Sequence, residues 1–115
     1  MRLYRPVGGK EYKLIEQNGF KAFPPRLPHQ HIFYPVLIEQ YAIDIAKKWN
    51  TKDPDSDFVG YVLCFEINDD YISKQEIHQV GSKFHLEYWI DADKLEEFNR
   101  NIISDIKVLH KFKGN

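Results

Sequence analysis

The sequence predicts an α+β fold in one compact domain, with a mostly antiparallel sheet and two to three covering helices. Three observations point to it. A chain of 115 residues suits one hydrophobic core and leaves little room for a second, so residues 1–115 read as a single domain. Hydrophobic residues make up 43% and aromatic residues 15%, which supports a real core and argues against disorder beyond the ends. Apolar residues alternate in several short runs and recur at three- and four-residue spacing in one long run, so strands and helices are both expected.

In chain order, Arg2 to Arg5 reads as a short strand, and Lys10 to Asn18 as a helix with Tyr12, Leu14 and Ile15 on its apolar side. Gly19 stands where a helix end wants a left-handed residue. In "FKAFPPRLPHQHIFYPV", Pro24, Pro25 and Pro28 remove donors and fix φ, which predicts a long irregular loop of the kind that often lines a site. Ile32 to Val36 is strand-like. Leu37 to Asn50 is the strongest helix, with Leu37, Ile38, Tyr41, Ala42, Ile45, Ala46 and Trp49 on one inward face.

After the polar turn "TKDPDSD", Phe58 to Ile67 is apolar on both faces and belongs in the middle of the sheet. Gln75 to Val80 and Lys83 to Ile90 pair as a hairpin across Gly81-Ser82. In the second of these strands Phe84, Leu86, Tyr88 and Ile90 share one face, and His85, Glu87 and Trp89 the other. Asp91 is the expected N-cap of a helix from Ala92 to Ile102 with Leu95, Phe98 and Ile102 inward, and Ile106 to Phe112 closes the chain as a strand.

The formal net charge of -1 gives no electrostatic reason to expect nucleic acid as the partner. No apolar run is long enough to span a bilayer and the N-terminus lacks the apolar stretch of a signal peptide, so the expected location is cytoplasmic, away from membranes. The single cysteine, Cys64, allows no internal disulfide and no cysteine-rich zinc site, and within "YVLCFEI" it reads as a small buried thiol.

Three groups of residues could carry chemistry. His85, Glu87 and Trp89 project an imidazole, a carboxylate and an indole into one space, where a carboxylate can hold a sugar hydroxyl or favour a developing cation; a solvated outer face fits the same pattern. Arg5 offers the forked donors that match phosphate or carboxylate, or pairs with a surface acid. Tyr34 can stack on a flat heterocycle, whereas Tyr41, on the apolar stripe, also fits the core. His29 and His31 supply two imidazoles, and a metal would need His85 or Glu87 as a third ligand, so no metal site is assigned. No Walker loop, dinucleotide-binding glycine fingerprint, serine elbow or metalloprotease helix is present.

The order of "LYRP" with Arg5, "IFYPVLIEQYA" with Tyr34 and Tyr41, and "HLEYW" with Glu87 resembles the ADP-ribosyltransferase-like superfamily. There an arginine or histidine lies on the first strand, an aromatic or serine on a second strand leading into a helix, and a glutamate on a later strand. The chain is also similar end to end to short bacterial proteins labelled "ADP-ribosylation/J-type crystallin", through "FPPR", "IFYPV", "WNTKDP" and "EEFN". The resemblance implies a split sheet and NAD as substrate. Arg5 would contact the NAD phosphates or adenosine ribose, Tyr34 and Tyr41 would contribute to the nucleotide pocket, with Tyr34 against nicotinamide. Glu87 would hold the nicotinamide ribose while the glycosidic bond breaks, with Tyr34 assisting. His85 would join the cofactor-binding residues, although it departs from the glutamine or glutamate that often precedes the catalytic glutamate by two positions. The outcome would be transfer of ADP-ribose to an acceptor or hydrolysis of NAD.

Two other classes compete. A noncatalytic interaction module, such as an immunity or antitoxin-like partner, would use the Pro-rich loop and exposed aromatics such as Trp89 to meet a protein. A small metal-dependent hydrolase would use His29, His31 and His85.

Overall fold

The computed structural model describes residues 1–114. The strands are β1 (Arg2–Gly8), β2 (Ile32–Phe33), β3 (Val59–Glu66), β4 (Ile77–Gln79), β5 (Leu86–Tyr88), β6 (Ile90–Asp91) and β7 (Lys107–Lys113). The helices are α1 (Gly9–Gln17), α2 (Glu39–Lys48), α3 (Asp69–Ile72) and α4 (Leu95–Arg100), with 3-10 turns at Asn50–Lys52, Pro54–Ser56 and Ala92–Lys94.

All strand pairing is antiparallel, in three groups: β1-β3-β7, β2-β6 and β4-β5. Val36 joins the groups, because it pairs with Tyr4 of β1 on one side and with Glu87 of β5 on the other. Ile32↔Asp91, Phe33↔Ile90 and Val36↔Glu87 keep one register across the break at Tyr34-Pro35. The Pro35 carbonyl still accepts from the Tyr88 amide at 3.0 Å, but its nitrogen has no hydrogen to return, which interrupts the ladder.

Pro6 opens the sheet on the other side. Tyr4 and Val36 exchange backbone hydrogen bonds of 2.9 and 2.8 Å. Backbone groups alternate sides along a strand, so Pro6 faces the same neighbour as Tyr4 and has no donor to offer it. β1 stays paired with β3 through Gly8, while its pairing with the Val36 segment stops at Tyr4. The opening between β1 and Phe33-Tyr34 is thus a gap in backbone pairing, filled by buried side chains such as Arg5 and Phe33.

Cross-strand partners share a face, so Cys64, Tyr4, Val36, Glu87 and His78 form one row on one side of the sheet. α2 covers that side, packing Ala42 and Ala46 on Val36 and Val62. The close approach needs Gly60, whose missing Cβ would otherwise meet the backbone of Ala46. The opposite side carries Leu3, Val7, Phe33, Leu63, Phe65 and Tyr88 beneath Ile15 of α1 and Leu95 and Phe98 of α4. Phe98 packs edge-on against Phe33 and Phe65 at 5.2 and 5.8 Å. Among the described residues no helix is long and apolar enough to cross a membrane.

Several sequence expectations need correction. β1 runs to Gly8, since a proline is tolerated where one strand edge has no partner. Leu14 is exposed, and α1 rests on Ile15 and on the stacking of Tyr12 with Tyr61 at 3.8 Å. α2 starts at Glu39 because Leu37 is still in extended pairing with Leu86, and it ends before Trp49, which is 71% exposed rather than inward. The hairpin turn is longer than two residues: the Val80 amide bonds the His85 carbonyl at 2.8 Å, so Lys83 and Phe84 belong to the turn and Phe84 faces solvent. The helix at Ala92–Ile102 is a 3-10 turn followed by α4, and Asp91 stands at the cap position without a side-chain capping bond. α3 is an addition to the expected elements, capped by Asn68, which accepts from the Tyr71 amide. The expected left-handed Gly19 is observed at φ +75°, as is the central place of β3 and the burial of Cys64, whose thiol burial pushes up in pKa.

Candidate functional site

Among the described residues Glu87 is the only buried acidic one, 7% exposed. The β5 register turns it toward α2, whose first turn carries Tyr41. The Tyr41 hydroxyl donates to Glu87 Oε2 at 2.9 Å, and the Trp89 indole nitrogen donates to Oε1 at 2.7 Å. Both oxygens are thus held by neutral donors, and among the described residues Glu87 forms no ion pair. Burial, then the Glu87 hydrogen bond and charge, push the Tyr41 hydroxyl up to about 12. Two rings brace the donors from outside: His85 stacks on Tyr41 at 4.4 Å and His78 on Trp89 at 3.8 Å. His85 Nδ1 lies 3.2 Å from the Val80 carbonyl, which keeps the proton on that nitrogen when the ring is neutral.

Beside this cluster a cavity of about 400 Å³ opens between α2 and the β4-β5 turn, lined by Tyr41, Asp44, Phe84 and His85 among others and by no lysine or arginine. A larger depression of about 540 Å³ lies at the end of α2, around Lys48, Trp49 and Pro54, and contains none of the candidate residues.

Arg5 occupies the opening between β1 and Phe33-Tyr34. Because α1 follows β1 without a loop, Glu11 comes back over Arg5 and receives two hydrogen bonds, 2.8 Å from Nε and 2.9 Å from Nη2. The guanidinium lies over the Phe33 ring at 4.5 Å and 5.6 Å from the Tyr34 ring centre. Its acidic partner is therefore a half-buried residue, and Arg5 itself is 5% exposed. Arg26, from the Pro-rich loop, joins the same group, with Nη1 3.6 Å from Glu11 and its guanidinium 5.9 Å from the Phe33 ring. Its sequence signal was the lone arginine in a loop already expected to line a site.

The candidate residues thus form two groups. Tyr41, Glu87 and His85 lie together on the α2 side of the sheet. Arg5 belongs to the opposite side by alternation, next to Leu3 and Val7. Tyr34 is exposed, and its ring centre lies 5.6 Å from the Arg5 guanidinium, which places it with the Arg5 group. His29 and His31 remain exposed on their loop, and among the described residues no three histidine, cysteine or acidic side chains gather as metal ligands. No family model, no curated protein and no solved structure matches the chain.

Proposed function

We propose that the protein is an ADP-ribosyltransferase-like domain that binds NAD at the opening between β1 and Tyr34 and cleaves its nicotinamide glycosidic bond beside Glu87. The observation that carries the reading is a buried carboxylate with no cationic partner. Buried charges are normally paired, and a carboxylate that accepts only from two neutral donors favours any cation that forms next to it. In the reaction the ribose C1′–N bond breaks, its electron pair leaves with the nicotinamide nitrogen, and the sugar ring becomes an oxocarbenium ion. Glu87 lowers the energy of that ion more than that of the bound substrate, which is the condition for faster chemistry. Water or an acceptor nucleophile then attacks C1′ and loses a proton. Tyr34 supplies a ring, Arg5 a positive charge for the phosphates, and the cavity beside Tyr41 and His85 space without lysine or arginine for the departing ring.

Glu87→Gln tests the role. It keeps the shape and one acceptor but removes the charge, so NAD consumption should fall about 100-fold, or about 2.7 kcal/mol of transition-state stabilisation, while the circular dichroism spectrum stays that of the wild type. Undiminished turnover in this variant would rule out the carboxylate. If excess NAD leaves the thermal midpoint of the wild type unmoved, the protein-interaction module becomes the better reading.

A further inference from the structure

Arg26 carries a nearly buried cation that the fold pairs only loosely, with Glu11. Its side chain is 10% exposed, its Nε is enclosed without a partner, and no hydrogen bond from its guanidinium to any described residue is formed; the 3.6 Å approach to Glu11 is too long for one. The only carboxylate in reach already accepts both bonds from Arg5. Two guanidinium groups thus share a single carboxylate at the edge of the opening, with one positive charge in excess. Burial and the neighbouring Arg5 charge both act against the Arg26 cation. A guanidinium with five donors and no acceptor is an incomplete arrangement in a folded protein.

We propose that Arg26, backed by Arg5, is an anion-binding residue whose ligand is an oxyanion of the phosphate class, which completes the pair of arginines by accepting from Arg26 and balancing the excess charge. Planar forked donors match a phosphoryl group better than they match a halide, and the rings of Phe33 and Tyr34 bound the site on its apolar side. The inference goes beyond the NAD reading, because it holds for inorganic phosphates and for any phosphate-bearing small molecule. Glu11 sets the selectivity: its charge leaves room for one further anion and penalises ligands that would displace it from Arg5.

The test is thermal unfolding of the full chain with inorganic pyrophosphate, titrated at constant ionic strength against chloride. A saturable rise of the midpoint is expected in the wild type by mass action, with the apparent affinity reduced at least tenfold in Arg26→Gln. Arg26→Lys, which keeps the charge and loses the fork, should fall between them. Without ligand, Arg26→Gln should unfold no earlier than the wild type, because it removes a nearly buried charge that Glu11 pairs only loosely. No saturable rise up to about 10 mM pyrophosphate, an equal rise in Arg26→Gln, or a clearly lower midpoint of unliganded Arg26→Gln would each overturn the assignment. Parallel titration with NAD separates the two proposals. A pyrophosphate response that needs Arg26, with no NAD response, supports the anion site and removes the NAD reading. A response to NAD alone does the reverse.

Discussion

A carboxylate buried among neutral donors depends on each of them, and at Glu87 the donors are Tyr41 and Trp89. Tyr41→Phe removes one bond and leaves Oε2 unsatisfied, which should cost about 1–3 kcal/mol in urea unfolding. The loss should depend on pH in a defined direction. Folding raises the Tyr41 pKa from 10.0 to about 12, so the folded state holds this proton more tightly than the unfolded chain does. The stabilisation from Tyr41 is then complete below about pH 10 and is lost as pH rises toward 12, and over that window the gap between wild type and the Phe variant should close. A gap unchanged across the window would mean that Tyr41 stabilises through packing alone. Neither donor was assigned to Glu87 from the sequence: Tyr41 is distant along the chain, and Trp89 was grouped with it only by alternation.

At the level of elements, period alone misjudged where helices stop. Trp49 continues the three- and four-residue spacing of α2, yet the helix ends at Lys48 and the chain turns into a 3-10 segment, carrying the indole into solvent. Phe98, from a helix only six residues long, is fully buried among aromatic rings. Trp49→Ala should therefore change stability by no more than about 0.5 kcal/mol, and Phe98→Ala should cost about 3–5 kcal/mol, both read from denaturant midpoints. A large loss at Trp49 would restore it to the core. The hairpin shows the same limit: Gly81 was legible as a turn residue, but the turn's closure by the Val80 and His85 backbones depends on where β4 meets β5, which no local pattern states.

For the molecule as a whole, β3 is the organising strand, paired on both sides and covered on both faces, while β4 and the turn to β5 stand at an edge. Amide hydrogen exchange should rank accordingly, slowest in Val62–Phe65 and fastest in Ser82–Phe84; comparable rates in the two would deny the sheet its central strand. The α+β class, the antiparallel pairing, the apolar β3, the presence of α2 (Glu39–Lys48) though not its ends, and the burial of Cys64 could all be read from the sequence, because alternation, helical spacing and apolar runs are local and repeat within a few residues. The identity of the polar partners could not. Arg5 meets Glu11 because α1 follows β1 directly, Glu87 meets Tyr41 because Val36 bridges β1 to β5, and Arg26 comes no nearer than 3.6 Å to Glu11, whose carboxylate already accepts from Arg5. Those contacts join residues that share no local pattern, and the opening at Pro6 and Pro35 exists only when two strands lie side by side. Local patterns in the chain locate most strands and helices and much of what they bury, whereas the ends of those elements and the pairing of their charges follow from proximity in space, which no local pattern carries.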